Sequence, residues 1–219
     1  MPRISKMFGS GTVFTSIMRS FSRKTPLERA LLSPLKLPVI FRPYHKSDFS
    51  ACVAIYREVE LGRFPPDLLG KFEKYLAKED KAFIVAELNS EIVGFGGIEL
   101  NGRNVSTLVY GMVVPKFQRQ RIGSTLVLLR LAQLEPHRLG NFVRIFAVKD
   151  SLPVYRRFGF RFLAYWKYND GTIHPAAYIS VENSTLNTIQ STLKERAIGI
   201  QGVLKLVAPA SAPSKAPNE

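Results

Sequence analysis

The residues best equipped for chemistry lie together in Gln118-Arg119-Gln120-Arg121-Ile122-Gly123-Ser124-Thr125. They follow an apolar run, Leu108 to Val114, that reads as a buried strand, and they open a long apolar-periodic segment that reads as a helix. A basic loop between a strand and a helix N-terminus is a physical device for holding phosphate. Loop and first-turn N–H groups have no intrahelical partners there, and the helix dipole adds partial positive charge. Arg119 and Arg121 add full charges. The same pattern also describes an ordinary connection with a solvated basic face, and both readings stay open on these residues alone.

The wording of the loop adds to this. Pro115-x-x-Gln118-Arg119-Gln120-Arg121-Ile122-Gly123 resembles the acetyl-CoA loop of the GNAT superfamily, the GCN5-related N-acetyltransferases. That family's pattern is Gln or Arg, two residues, Gly, one residue, then Gly or Ala. Gln118 takes the first position and Gly123 the last, while Arg121 departs from the pattern by standing at the first glycine. Val154-Tyr155-Arg156-Arg157-Phe158-Gly159-Phe160 resembles the family's Tyr-x-x-x-Gly-Phe segment. The resemblance covers roughly Val39 to Val181.

The resemblance implies an N-acetyltransferase that moves an acetyl or other acyl group from acetyl-CoA to an amine by direct attack. The backbone of Met112, Val113 and Val114 would bind pantetheine, and the N–H of Val114 would polarise the thioester carbonyl. The backbone of Gln118, Arg119, Gln120, Arg121, Ile122, Gly123, Ser124 and Thr125 would cradle the pyrophosphate. Tyr155 matches the tyrosine that protonates the leaving thiolate; the other reading is a core aromatic whose hydroxyl reaches the surface. Glu99 is the nearest candidate base, and it also reads as an exposed strand-end carboxylate. Arg121 either takes a positive φ at a cost of about 1–3 kcal/mol, or is already helical and pairs with a phosphate oxygen; the second reading is preferred. Val148 stands where many members have an asparagine, and Asp150 reads as the cap of the short helix bearing Tyr155. The acceptor, a small amine or a peptide or protein amine, would meet Arg57 to Pro66 and Trp166 to His174, where Arg63, Phe64, Tyr165, Trp166, Tyr168 and His174 are available.

The elements that must position these residues can be read from periodicity and turn chemistry. Pro38–Arg42 reads as a strand, followed by a helix capped at Asp48 and a second helix from about Pro66 to Lys78 after the Phe64-Pro65-Pro66 break. Ala82–Ala86, Ile92–Leu100 and Val105–Val114 read as three meandering strands joined by turns at Asn89-Ser90 and Asn101-Gly102. A helix from about Arg121 to Leu134 follows, then a strand Phe142–Val148 and a short helix through Tyr155. Phe162–Tyr168 and Ala177–Val181 close the domain as a hairpin, and residues 185–204 read as a further helix. By the resemblance, these assemble as an α/β (α+β) fold: a mixed, mostly antiparallel GNAT-like sheet with helices on both faces. The expected organisation is a basic N-terminal arm over 1–36, the acetyltransferase domain over 37–183, and a C-terminal helix and disordered tail over 184–219.

The chain has 219 residues and a net charge of +14, and 46% of it is hydrophobic, enough for one buried core. Residues 1–36 carry seven basic side chains against one acid. Phe14, Ile17, Met18 and Phe21 recur there at helical spacing. A targeting presequence, a membrane-surface contact and a mobile arm are the open readings. No apolar run is long enough to cross a membrane. Cys52, the only cysteine, reads as a small core residue, and a cytoplasmic setting fits. His45, His137 and His174 are too scattered for a metal site. The basic charge is dispersed and accompanies no nucleic-acid-binding motif, so no nucleic-acid partner is expected. A monomer or a homodimer is expected. The alternative to an enzyme is a non-catalytic CoA-binding sensor or interaction module on the same fold.

Overall fold

The computed structural model describes residues 25–31, 34–60, 67–78, 82–148, 150–167, 171 and 173–201. Among the described residues seven strands form one sheet: β1 (Ile40–Pro43), β2 (Ala82–Leu88), β3 (Glu91–Leu100), β4 (Val105–Val113), β5 (Asn141–Phe146), β6 (Arg161–Lys167) and β7 (Ile173–Val181). Their order across the sheet is β1-β2-β3-β4-β5-β7-β6. The α-helices are α1 (Pro26–Leu31), α2 (Phe49–Glu60), α3 (Asp67–Ala77), α4 (Ile122–Leu131), α5 (Leu152–Arg156) and α6 (Asn183–Glu195).

Strand alternation explains the two layers. On β2, Ile84 and Ala86 belong to the core beneath α4 and α6, while Phe83 and Val85 belong to the core beneath α2 and α3. Both faces are covered, so β2 is apolar along most of its length. The second core is largely aromatic: Phe72 stacks on Tyr56 and Phe95 with ring centroids 4.8 and 5.4 Å apart. Cys52 is fully buried there. The β2–β3 turn places Asn89 and Ser90 at φ 51° and 65°, the geometry of a tight hairpin. This is the mixed, mostly antiparallel architecture expected from the sequence.

The first strand is fixed by charge. The Arg42 guanidinium donates from Nη1 and Nη2 to Asp48 at 2.8 and 2.9 Å, and from Nε to Glu87 at 2.7 Å. Asp48 also accepts from the His45 N–H at 2.8 Å, which starts the turn into α2. Burial alone would push the Asp48 carboxyl up; the Arg42 and His45 hydrogen bonds overcome this and hold it below the usual carboxylate range.

Several elements differ from the sequence reading; β7, for one, begins at Ile173 instead of Ala177. Leu27 and Leu31 of α1, assigned from sequence to the basic arm, are core residues. The C-terminal helix stops at Glu195 instead of running to 204. Ala197 takes φ 52°, and the Ile198 N–H returns to the Leu193 carbonyl, a left-handed stop. Ile200 then pairs with Phe41 of β1. The helix expected from Arg121 to Leu134 is shorter at both ends. The amphipathic stretch of residues 14–21, the tail after residue 201, the break at Phe64-Pro65-Pro66, and Arg63 and Tyr168 lie outside the described residues.

Candidate active site

The site begins where the sheet opens. β4 and β5 are the parallel pair among the seven strands, and α4 lies on the connection between them. Their pairing covers only Val105–Leu108 against Phe142–Ile145, yet β4 runs on to Val113. Among the described residues the β5-facing edge of Val109–Val113 therefore has no strand partner. A bulge helps produce this gap. Phe95 pairs with Met112 and Gly97 with Val109, so Tyr110 and Gly111 on β4 face the single residue Gly96. Tyr110 takes φ 48° at that point. The extra residue bends β4 and turns its far end away from β5.

The register assigns the exposed backbone groups. The N–H of Val114, expected to face a thioester, instead donates to the Val93 carbonyl at 3.0 Å. An antiparallel ladder alternates, so Val113 turns its N–H and C=O away from β3 toward the opening. Gln118 supports this by donating its side-chain amide to the Val113 carbonyl at 3.1 Å. Met112 lies buried with Val114 against the α2–α3 core.

The basic loop leads directly from this strand into α4. Arg119 and Arg121 both take left-handed backbone, at φ 60° and 72°, and Arg121 is the N-cap residue of α4. The helical conformation preferred for Arg121 from sequence is therefore corrected: the helix begins at Ile122. An L-residue in this region costs about 1–2 kcal/mol, which is why glycine suits the position. Gln120 bridges the loop to the N-terminal segment by accepting from the Lys36 N–H at 3.4 Å. Gly123 and Ser124 form the first turn of α4, and Thr125 bonds back to the Arg121 carbonyl.

Beside this turn is a cleft of about 380 Å³. It is lined by Arg121 and Ser124, by Arg156 and Arg157 at the end of α5, and by Arg29 on α1. Among the described residues no carboxylate pairs with Arg121, Arg156 or Arg157. Four guanidinium groups around one opening suit a polyanion. Sequence reading did not find Arg29, because it placed that residue in the arm.

Tyr155 approaches the opening from α5. A Cβ built on Gly111 would lie 3.2 Å from the Tyr155 hydroxyl oxygen, so the phenol reaches the bulge of β4. The ring packs edge-on to Phe160 with centroids 5.5 Å apart, and the Phe160 N–H returns to the Tyr155 carbonyl. The turn at Gly159, φ 92°, makes that return possible. Ser151, not Asp150, is the N-cap residue of α5, and its hydroxyl donates to the Val148 carbonyl at 2.9 Å.

A second residue at the bulge escaped sequence reading. Arg130 on α4 is only 1% exposed, and its guanidinium sits between Gly96 and Gly111. It donates from Nε to the Leu126 carbonyl at 2.9 Å and from Nη1 to the Gly97 and Val109 carbonyls at 3.3 and 3.4 Å. Its Nη2 and the Tyr155 hydroxyl converge on one point of the bulge: a Cβ built on Gly111 would lie 3.1 Å from the one and 3.2 Å from the other. Burial pushes the guanidinium below its ordinary value and Tyr155 opposes that shift; an arginine still remains cationic at neutral pH. The signal was present in the sequence: α4 is apolar all round, so its one charged residue has no solvent face to occupy.

Glu99 is not gathered with Tyr155. It pairs with Thr107, four positions before Gly111 on β4, or roughly 13 Å along a strand. It lies toward Tyr75 of α3, whose hydroxyl is pushed up by burial and then by Glu99 and Tyr110, with Arg130 opposing. Of the acceptor-side residues, Tyr165 and Trp166 stand on the exposed edge strand β6, while His174 is buried on β7 opposite Trp166. Among the described residues no cluster of His, Cys, Asp or Glu could hold a metal ion, and no helix is long and apolar enough to cross a membrane.

Comparison with solved structures places this architecture among acetyltransferases. Ard1 from Thermoplasma volcanium is 19% identical and superposes with a TM-score of 0.52, covering 65% of this chain and 97% of its own. A putative GNAT acetyltransferase from Desulfovibrio desulfuricans is 17% identical with a TM-score of 0.54, covering 65% of this chain and 98% of its own. The ribosomal-protein-S18-alanine N-acetyltransferase from Escherichia coli is 16% identical with a TM-score of 0.52, covering 66% of this chain and 94% of its own. At such identities the likeness is one of fold. A search of curated proteins gives no match. Residues 52–175 match the acetyltransferase (GNAT) domain, a span that includes β4, its bulge, the basic loop and Tyr155. The chain therefore belongs to the GNAT acetyltransferase family.

Proposed function

We propose that the protein is an acyl-CoA-dependent N-acetyltransferase. The observation that carries this reading is the open edge of β4, with Tyr155 on one side and the basic loop at its end. A strand edge with no neighbour is costly inside a sheet unless a ligand supplies hydrogen bonds, and pantetheine amides can do so. The donor fits the residues present. Val113 would pair with the pantetheine arm, the Gln118–Thr125 loop would hold the pyrophosphate, and Arg29, Arg121, Arg156 and Arg157 would surround the nucleotide phosphates. Acetyl-CoA would supply the activated acetyl group.

In this reading the N–H of Val113, rather than that of Val114, faces the thioester carbonyl and stabilises the oxyanion that develops there. Tyr155 gives its proton to the departing sulfur. Tyr165 and Trp166 on β6 offer aromatic surface to an amine acceptor. The separation of Glu99 from Tyr155 favours proton loss from the amine to water, with Glu99 acting at most through water. That same separation is the observation favouring the second reading, a CoA-binding module without turnover.

A panel of small amines and peptide N-termini, assayed for thiol release from acetyl-CoA, tests the proposal. Acetylation of any of them above the rate of spontaneous hydrolysis supports the enzyme. Tight acetyl-CoA binding with no turnover on any acceptor supports the module instead.

A further inference from the structure

Arg130 is a fully buried cation. Among the described residues no carboxylate forms an ion pair with it. The ionisable groups acting on it are Tyr155 from α5 and Tyr75 from α3, while Glu99 of β3 and Tyr110 of β4 act on Tyr75. Burying an ion without a partner is expensive. Three backbone carbonyls offset part of that cost, and two of these contacts are long. The fold also reserves the space. A Cβ at Gly96 would lie 3.0 Å from the guanidinium carbon, and a Cβ at Gly111 would lie 3.1 Å from Nη2. Gly111 is exposed, so this buried charge lies directly beneath the opening of the sheet.

We propose that Arg130 is a positioning residue for acyl transfer, one that orients the Tyr155 proton and offsets the negative charge of the leaving thiolate. The proposal rests on the acyl-CoA reading above. The guanidinium and the Tyr155 hydroxyl both flank Gly111, and an arginine only donates hydrogen bonds, so toward this guanidinium the Tyr155 oxygen is the acceptor. The phenol's own hydrogen is then turned toward the open edge of β4. During transfer the amine nitrogen bonds to the acyl carbon and the C–S bond breaks, leaving its electron pair on sulfur. Sulfur takes the Tyr155 proton, and the phenolate that remains is held by the guanidinium. Solvent returns a proton to Tyr155 and takes the one lost by the amine, so the sum is amine plus thioester giving amide plus thiol. A cation fixed in advance within a dry site needs no reorganisation at that moment.

The test needs no acceptor. The full chain is titrated calorimetrically at pH 8 with CoA, and separately with desulfo-CoA, in buffers of different ionisation enthalpy, which counts the protons released on binding. CoA should release about half a proton or more per site, since a free thiol titrates near 8.5 and the Arg130–Tyr155 pair favours the anion. Desulfo-CoA should release none. Arg130→Met and Tyr155→Phe should each abolish the release while CoA still binds, and Arg130→Lys should restore part of it. A filler of the bulge with no electrostatic role predicts equal release from the parent and both variants, which would overturn the proposal. So would release by Tyr155→Phe equal to the parent's, because Arg130 is argued to act through that phenol. If Arg130→Met fails to fold, Tyr155→Phe and Arg130→Lys still decide. CoA binding without proton release in the parent protein sinks this inference alone, whereas no CoA binding at all sinks the reading on which it rests.

Discussion

Arg42 and Arg130 are two answers to the same physical problem. Arg42 is partly exposed and satisfied by two carboxylates, Asp48 and Glu87, within 2.9 Å. Arg130 is fully buried and has carbonyls and one phenol. The first arrangement ties β1 to the turn before α2 and gives its cation two carboxylate partners. The second leaves a positive charge uncompensated beside the opening of β4. Burial and importance to stability therefore need not run together: the more buried arginine is the one placed for chemistry.

That contrast can be broken by experiment, most sharply through turnover. With an acceptor in hand, Tyr155→Phe should lower kcat about a hundredfold or more and leave CoA affinity nearly intact, as loss of a general acid does. Unchanged kcat would remove Tyr155 from the mechanism. Next in size is stability. Arg42→Met leaves Asp48 buried without its partner and should cost about 3 kcal/mol, or roughly 6–12 °C in Tm. Arg130→Met removes an unpaired buried charge and should change stability by about 1 kcal/mol or less in either direction. Thermal unfolding of the two variants side by side checks this, and a larger loss at Arg130 would invert the comparison.

Acid sharpens the same difference. The Asp48 pKa is lowered in the folded state, so its contribution to stability is present above the unfolded value, near 3.9, and is lost as pH falls through the lower folded value. Arg42→Met should therefore flatten the acid limb of a stability–pH curve below about pH 4, and Arg130→Met should leave it unchanged. The smallest effect concerns Arg121. Arg121→Gly relieves the backbone at φ 72° and should stabilise the fold by about 1 kcal/mol. It should also weaken CoA binding roughly tenfold by removing a phosphate partner. Equal or tighter binding by that variant would show that Arg121 is only a tolerated strain.

Much of the fold could be read from alternation and turn residues, because β2, β3 and β4 are long, apolar and bounded by Asn-Ser and Asn-Gly. The loop and Tyr155 were legible through local wording. The remainder depended on register and tertiary context. One extra residue in β4 decides whether Val113 or Val114 faces the opening; Gly111 inside the strand pattern hints at a bulge, but only the pairing with β3 fixes its register. Arg121 looked helical because its neighbours are; its conformation is set by the loop it closes. Arg130 is legible only as the one charge on an apolar helix; that it meets the β3 and β4 backbone depends on tertiary packing. Leu27 and Leu31 were hidden by the basic composition around them.

The most direct test of the central claim is calorimetric titration of the full chain with acetyl-CoA at neutral pH. The open β4 edge, the basic loop and the four-arginine cleft predict binding in the micromolar range at a single site. A folded sample that gives no binding would contradict the claim, and would mean that the left-handed arginines have closed the loop to phosphate.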